Sequence, residues 1–204
     1  MPEWPPPSTE HVLYLQPDGE LGDTQPTSTA GQSTFTYDPA DPTPAVGGRV
    51  INPALGGRRD NRKLEEREDV LTFTGPPLNE SLEVIGNPVV ELVHRTDNPH
   101  ADLFVRLCEV RKNGRSVNVS DGFQRLEPAK SSGTILLGLE ALAHRFTAGT
   151  RIRLQISGGA HPRYARNLGT DKDQATSSEL APSRRMIFHG DGGFSRLVLP
   201  VPTR

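Results

Sequence analysis

In the stretches "GQSTF" and "GFSRL", Ser33 and Ser195 each stand two residues after a glycine. A hydrolase nucleophile elbow reads Gly-x-Ser-x-Gly on a turn from strand to helix. Both stretches lack the second glycine, and no helical pattern follows either of them. Cys108 lies inside an apolar, strand-like run. There a thiol acts as a small buried hydrophobe rather than as a nucleophile. The six histidines, at 11, 94, 100, 144, 161 and 189, are nowhere spaced as His-x-His or His-x-x-x-His. Asp38 and Asp41 lie in "TYDPADPTPAVGG", where prolines 39, 42 and 44 occupy places that an EF-type calcium loop gives to carboxylates. A calcium ion in this loop stands against the plainer reading, in which both aspartates bond nearby backbone N–H groups. The arginine pairs in "GGRR" and "SRR", with Arg163 and Arg166 beside Tyr164, are material for a phosphate or sugar site. They are equally the material of ordinary surface ion pairs. The expectation is a chain with no catalytic residue, no metal site and no cofactor of its own.

The elements that would position these residues follow from composition. The 204 residues carry a net charge of −2, so no basic field points to nucleic acid. No apolar run reaches the roughly 18 residues that a membrane helix needs. "MPEWPPPSTE" has neither a basic nor an apolar leader region, and a cytoplasmic protein is expected. One cysteine excludes an internal disulfide framework. Glycine (20) and proline (19) are abundant and aromatics few, as in short strands joined by turns.

The pattern along the chain agrees. Residues 1–10 read as an extended lead-in, and 11–204 as a single β-sandwich domain. "VLYLQPDGEL" is a strand with a turn at Pro17-Asp18-Gly19, and residues 22–34 read as polar loop. "GGRRDNRKLEERED" reads as a solvated charged loop. "VLTFTG" and two runs separated by Gly86-Asn87-Pro88 are strands. Asn113-Gly114 between two apolar runs signals a hairpin. "TRIRLQIS" alternates, which places Ile152, Leu154 and Ile156 on a buried face and Arg151, Arg153 and Gln155 on a wet one. "GTILLGLE" and "SRLVLPV" are further strands. "LEALAHRF" is the one helix-like piece. The fold class is all-β, a sandwich or jelly roll with at most one short helix.

Five of these stretches, in order, resemble the C-terminal domain of one hydrolase family. "YDPADPTPAVGG", "REDVLTFTGPPL", "ADLFVRLCEVRKNGRSVNVSDGFQR", "FTAGTRIRLQISGGAHPRYARN" and "SRLVLPV" carry the likeness. The family contains cocaine esterase, the X-Pro dipeptidyl-peptidases and the α-amino-acid ester hydrolases. The resemblance implies a jelly-roll sandwich of the galactose-binding-like kind, following an α/β-hydrolase domain that holds the Ser-Asp-His triad. It implies a non-catalytic accessory role, with an α/β-hydrolase domain or subunit, or a second copy of the chain, as partner. By the same likeness Arg49, Val50 and Ile51, after the double glycine, line the substrate pocket of that partner. Val46 and Leu55 supply apolar contact, with Arg58 at the rim. No aromatic lies between Tyr37 and Phe73, where family members often carry one. The alternative is a free-standing β-sandwich that holds a carbohydrate or other small ligand.

Overall fold

The computed structural model describes residues 4–27, 31–51 and 54–203. In chain order the strands begin with β1 (Ser8–Leu15), β2 (Leu21–Gly22), β3 (Gln32–Tyr37), β4 (Val70–Thr74) and β5 (Leu82–Gly86). They continue with β6 (Val89–Thr96), β7 (Asp102–Val110), β8 (Ser116–Arg125), β9 (Gly133–Gly138) and β10 (Leu142–Phe146). The last are β11 (Arg151–Ser157), β12 (Ser183–Gly190), β13 (Gly193–Phe194) and β14 (Arg196–Pro202). The one α-helix among the described residues is a single turn, α1 (Arg62–Glu65).

Every strand pairing is antiparallel, and two main sheets face each other. One sheet runs β4-β11-β7-β8. The other is organised around β6, which pairs with β9 along one edge. Its other edge divides between two strands. Residues 89–91 pair with β14, which leads on to β1, while residues 93–96 pair with β12, which leads on to β3. β5 and β10 form a separate ribbon. The core between the sheets is aliphatic, built from Leu92, Val105, Leu107, Leu137, Leu154, Ile156, Leu197 and their neighbours, with Phe35, Phe73 and Phe146. This is the all-β sandwich that the turn-separated runs predict.

The hairpin at Asn113-Gly114 joins β7 to β8. Gly114 N donates to Arg111 O and Arg111 N to Arg115 O, both at 2.8 Å. β1 starts at Ser8, so the last three residues of the lead-in already belong to a sheet. β3 likewise begins inside the stretch read as polar loop.

Three expectations fail. "LEALAHRF" contains strand β10, whose register pairs Leu142 with Gly86 and Phe146 with Leu82. Leu142 and Phe146 are four apart, a spacing that suits one face of a strand as well as a helix. Pairing with β5 decides between them. The wet face of β11 is also largely dry. Arg151 is exposed, but Gln155 is buried and Arg153 half-buried. The cause is the third correction: the charged run at 56–69 is not a solvated loop. It folds across the outer face of the β4-β11-β7-β8 sheet, burying Asn61, Leu64 and Asp69. Glu65 is turned inward, with its side chain 7% exposed. It accepts from Arg153 Nη1, from Gln155 Nε2 and Ser116 Oγ at 2.5 Å each. A buried carboxylate persists only when its oxygens are satisfied in this way. All nine residues of β7 are buried.

Candidate functional site

The proline-rich loop after β3 is stitched down along its length. Asp38 Oδ1 accepts from Ala40 N at 2.8 Å, closing a turn. Asp41 meets the Arg67 guanidinium at 3.0 Å, and that guanidinium also holds buried Asp69 at 2.6 Å. The aspartates are therefore structural. No group of three or more metal-binding side chains occurs among the described residues. Farther along, His161 N donates to Thr43 O at 2.8 Å and Ala45 N to His161 O at 2.7 Å.

Beyond this seam the described residues on either side of the loop pair at Gly48 and Gly57. Gly48 N donates to Gly57 O and Gly57 N to Gly48 O, each at 2.9 Å, so the two glycines close its neck. Gly47 N donates to Leu55 O at 3.1 Å and Val50 N to Gly48 O at 3.0 Å. From the sheet beneath, Asn118 Oδ1 accepts from Arg59 N at 2.7 Å while its Nδ2 donates to Gly57 O at 3.1 Å. Arg106 Nη1 donates both to Val46 O and to Asn61 Oδ1.

The neck rests on an alternating charge chain. Arg106 Nη2 lies 3.2 Å from Asp121 Oδ2, and Arg163 Nη1 2.6 Å from Asp121 Oδ1. Arg163 Nη2 continues to Glu140 Oε1 at 3.2 Å, and Glu140 Oε2 to Arg49 Nε at 2.8 Å. The side chains run from full burial at Arg106, through 3% exposure at Asp121 and 7% at Arg163, to 71% at Arg49. Tyr164 lies under Arg163 and stacks on Phe123 with ring centroids 4.0 Å apart. The Arg163 and Arg166 of the sequence reading are thus already committed, Arg166 to Pro39 O at 3.0 Å. They are not free to form a phosphate or sugar site.

This packing explains the double glycine. Gly47 has φ 68° and Gly48 φ 79°. A Cβ on Gly48 would sit 2.6 Å from Arg163 Nη1 and 2.8 Å from Asp121 Oδ2. Gly48→Ala therefore meets a steric and a backbone penalty together, expected at about 1–3 kcal/mol. Urea melts would measure it. An unchanged midpoint would show that the neck does not bear on the charge chain.

The residues singled out from sequence fall on this loop with unequal exposure. Ile51 at the tip is fully exposed and Leu55 is 54% exposed. Val46 and Val50 are half-buried, and Arg49 reaches outward to Glu140. Arg58 is exposed beyond the neck, with its Nη2 2.9 Å from His144 Nδ1. Asp121, Arg106 and Glu140 were not singled out from the sequence. Arg106 alone left a trace there, as a lone cation inside the apolar run "ADLFVRLCEV".

The nucleophile candidates are accounted for. Ser195 is fully buried, its Oγ donating to Phe188 O at 2.7 Å and accepting from Val93 N at 2.9 Å. Burial pushes the Cys108 thiol up to about 12. Ser33 Oγ lies 3.0 Å from His189 Nε2 in an open hollow beside the Pro17–Gly19 turn. His189 Nδ1 has no hydrogen-bond partner among the described residues, so no carboxylate orients the ring as a triad requires. Burial also lowers the His189 pKa, which weakens the ring as a base.

Residues 1–198 match the family described as X-Pro dipeptidyl-peptidase C-terminal non-catalytic domain. Cocaine esterase from Rhodococcus sp. (strain MB1 Bresler) is 28% identical over 225 residues, covering 99% of this chain and 39% of the esterase. A selenomethionine-labelled α-amino acid ester hydrolase superposes with a TM-score of 0.84 at 26% identity, covering 95% of this chain and 36% of its own. An aminopeptidase from a marine sediment archaeon, Thaumarchaeota archaeon, shares the fold with a TM-score of 0.85 at 23% identity, covering 98% of this chain and 38% of its own. The chain thus spans under two-fifths of the length of these relatives. A match over nearly all of its residues places the chain in the family of X-Pro dipeptidyl-peptidase C-terminal non-catalytic domains.

Proposed function

We propose that this chain works as the accessory part of a serine hydrolase acting on acyl esters or X-Pro amides. It packs on the α/β-hydrolase part and walls one side of its substrate pocket through Arg49, Val50 and Ile51. It supplies no bond-breaking group. The observation that carries this reading is the 48–57 loop. Its neck is held by backbone bonds and by the buried charge chain, yet its tip offers Ile51 and Leu55 to solvent. A neck held this firmly loses little conformational entropy on docking, which favours a specific contact. In the relatives the matched region occupies just over a third of a longer chain, which supports a catalytic part as the partner.

Light scattering across a concentration series, with and without a co-encoded hydrolase chain, tests this. The expected result is association, either with that chain or between copies, that is lost when Val50→Asp and Ile51→Asp are combined. A strictly monomeric chain that ignores the hydrolase and is indifferent to both substitutions would contradict it.

A further inference from the structure

A second cluster lies on the far side of Arg58, outside the loop and its charge chain. The ends of β7 and β10 and the β7–β8 turn enclose an open hollow lined by Arg58, Arg111, Lys112, His144, Glu109 and Thr147 among others. Its floor is ordered. Glu109, 8% exposed, faces His144 Nε2 at 3.5 Å and accepts from Thr147 N at 3.4 Å. Arg58 Nη2 approaches His144 Nδ1 at 2.9 Å. A guanidinium can only donate, so Nδ1 is the acceptor, Nε2 carries the proton toward Glu109, and the ring is neutral. The Arg58 contact thus sets the tautomer, and Nε2 faces Glu109 at 3.5 Å without a hydrogen bond.

The remaining charge is unbalanced. Arg58, Arg111 and Lys112 make no ion pair among the described residues, whereas Arg145 on the same rim is paired with Glu83. Three cations therefore face one buried carboxylate, an excess of two positive charges. Their mutual repulsion falls when a doubly charged anion enters, and a guanidinium presents its remaining N–H donors to such an anion in a fork. Thr147 lines the same wall.

We propose that this hollow is a binding site for a phosphate-type dianion, held by Arg58, Arg111 and Lys112. The charge excess selects a dianion over a carboxylate. The site stands apart from the pocket-wall role of the 48–57 loop and does not depend on it.

The test follows the His144 ring and the Thr147 amide by NMR in the full chain. Potassium phosphate, glycerol 2-phosphate and potassium acetate are titrated at ionic strength matched with chloride. Phosphate is expected to give saturable shifts at both positions. Arg58→Gln, and Arg111→Gln combined with Lys112→Gln, should each weaken binding by about tenfold or more. Arg184→Gln, on an exposed position of β12, should leave it unchanged. Saturation by the ester as well as by inorganic phosphate would assign the site to phosphate monoesters. Saturation by inorganic phosphate alone would assign it to the free anion. A linear response equal to that of chloride, acetate binding as tightly as phosphate, or variants that bind like the parent would each overturn the proposal.

Discussion

Asp121→Ala is expected to cost about 3–5 kcal/mol, the range seen when one partner of a buried ion pair is removed. Asp121 stands between Arg106 and Arg163 and is 3% exposed, so its loss leaves two guanidiniums facing each other out of water. Glu140 still reaches Arg163, but nothing replaces the Arg106 partner on that side. The effect should not stop at global stability. Arg106 also holds Val46 O and Asn61 Oδ1, so its displacement frees the neck of the 48–57 loop. Urea unfolding reads the first consequence. Proteolysis at Arg49, expected to become faster, reads the second. A loss well below 1 kcal/mol with unchanged cleavage would mean that the charge chain does not support the loop.

Leu154→Ala is expected to cost about 2–5 kcal/mol, because a side chain at the centre of the sandwich leaves a cavity that β-sheets cannot collapse around. Leu154 is fully buried, and its strand is paired on both sides, with Phe73 and Leu107 as register partners. Its neighbour Arg153 reports on the other face of the same strand. As an unpaired surface residue it would matter little. Its contacts with Thr74 Oγ1 at 2.8 Å and with the inward-turned Glu65 raise the expected cost of Arg153→Ala to about 1–2 kcal/mol. Denaturant melts of the two variants check the ranking. Equal losses would mean that the register of β11 is wrong.

That pair of residues shows what was legible in the sequence. The alternation Ile152, Leu154, Ile156 identifies a strand and its core face, because side chains on a strand point alternately to opposite sides. It cannot say what covers the second face. Here the cover is α1 and its charged flanks, a segment whose composition reads as solvated. Glu65 is buried there only because Arg153 and Gln155 of β11 and Ser116 of β8 converge on it from two other parts of the chain. Non-local satisfaction of this kind leaves no periodic signal.

The candidate site divides in the same way. The double glycine and the proline-fixed approach point to a constrained loop, and both glycines do adopt positive φ. The support beneath was not legible, since Arg106, Asp121, Glu140 and Arg163 come from different elements and look like ordinary charges. An arginine flanked by the apolar residues of "LFV" and "LC" is the one available clue. Burial of a cation requires a partner, and its apolar neighbours are what place Arg106 in the interior.

Under the proposed function this chain breaks no bond itself. The direct measurement is turnover of p-nitrophenyl esters and an X-Pro-nitroanilide by the purified chain, with and without a serine-directed phosphonate. The geometry around Ser33, Ser195 and Cys108 leads us to expect no turnover above buffer and no covalent phosphonate adduct by mass spectrometry. Turnover abolished by the phosphonate, with an adduct mapped to Ser33 or to any other serine of this chain, would contradict the account.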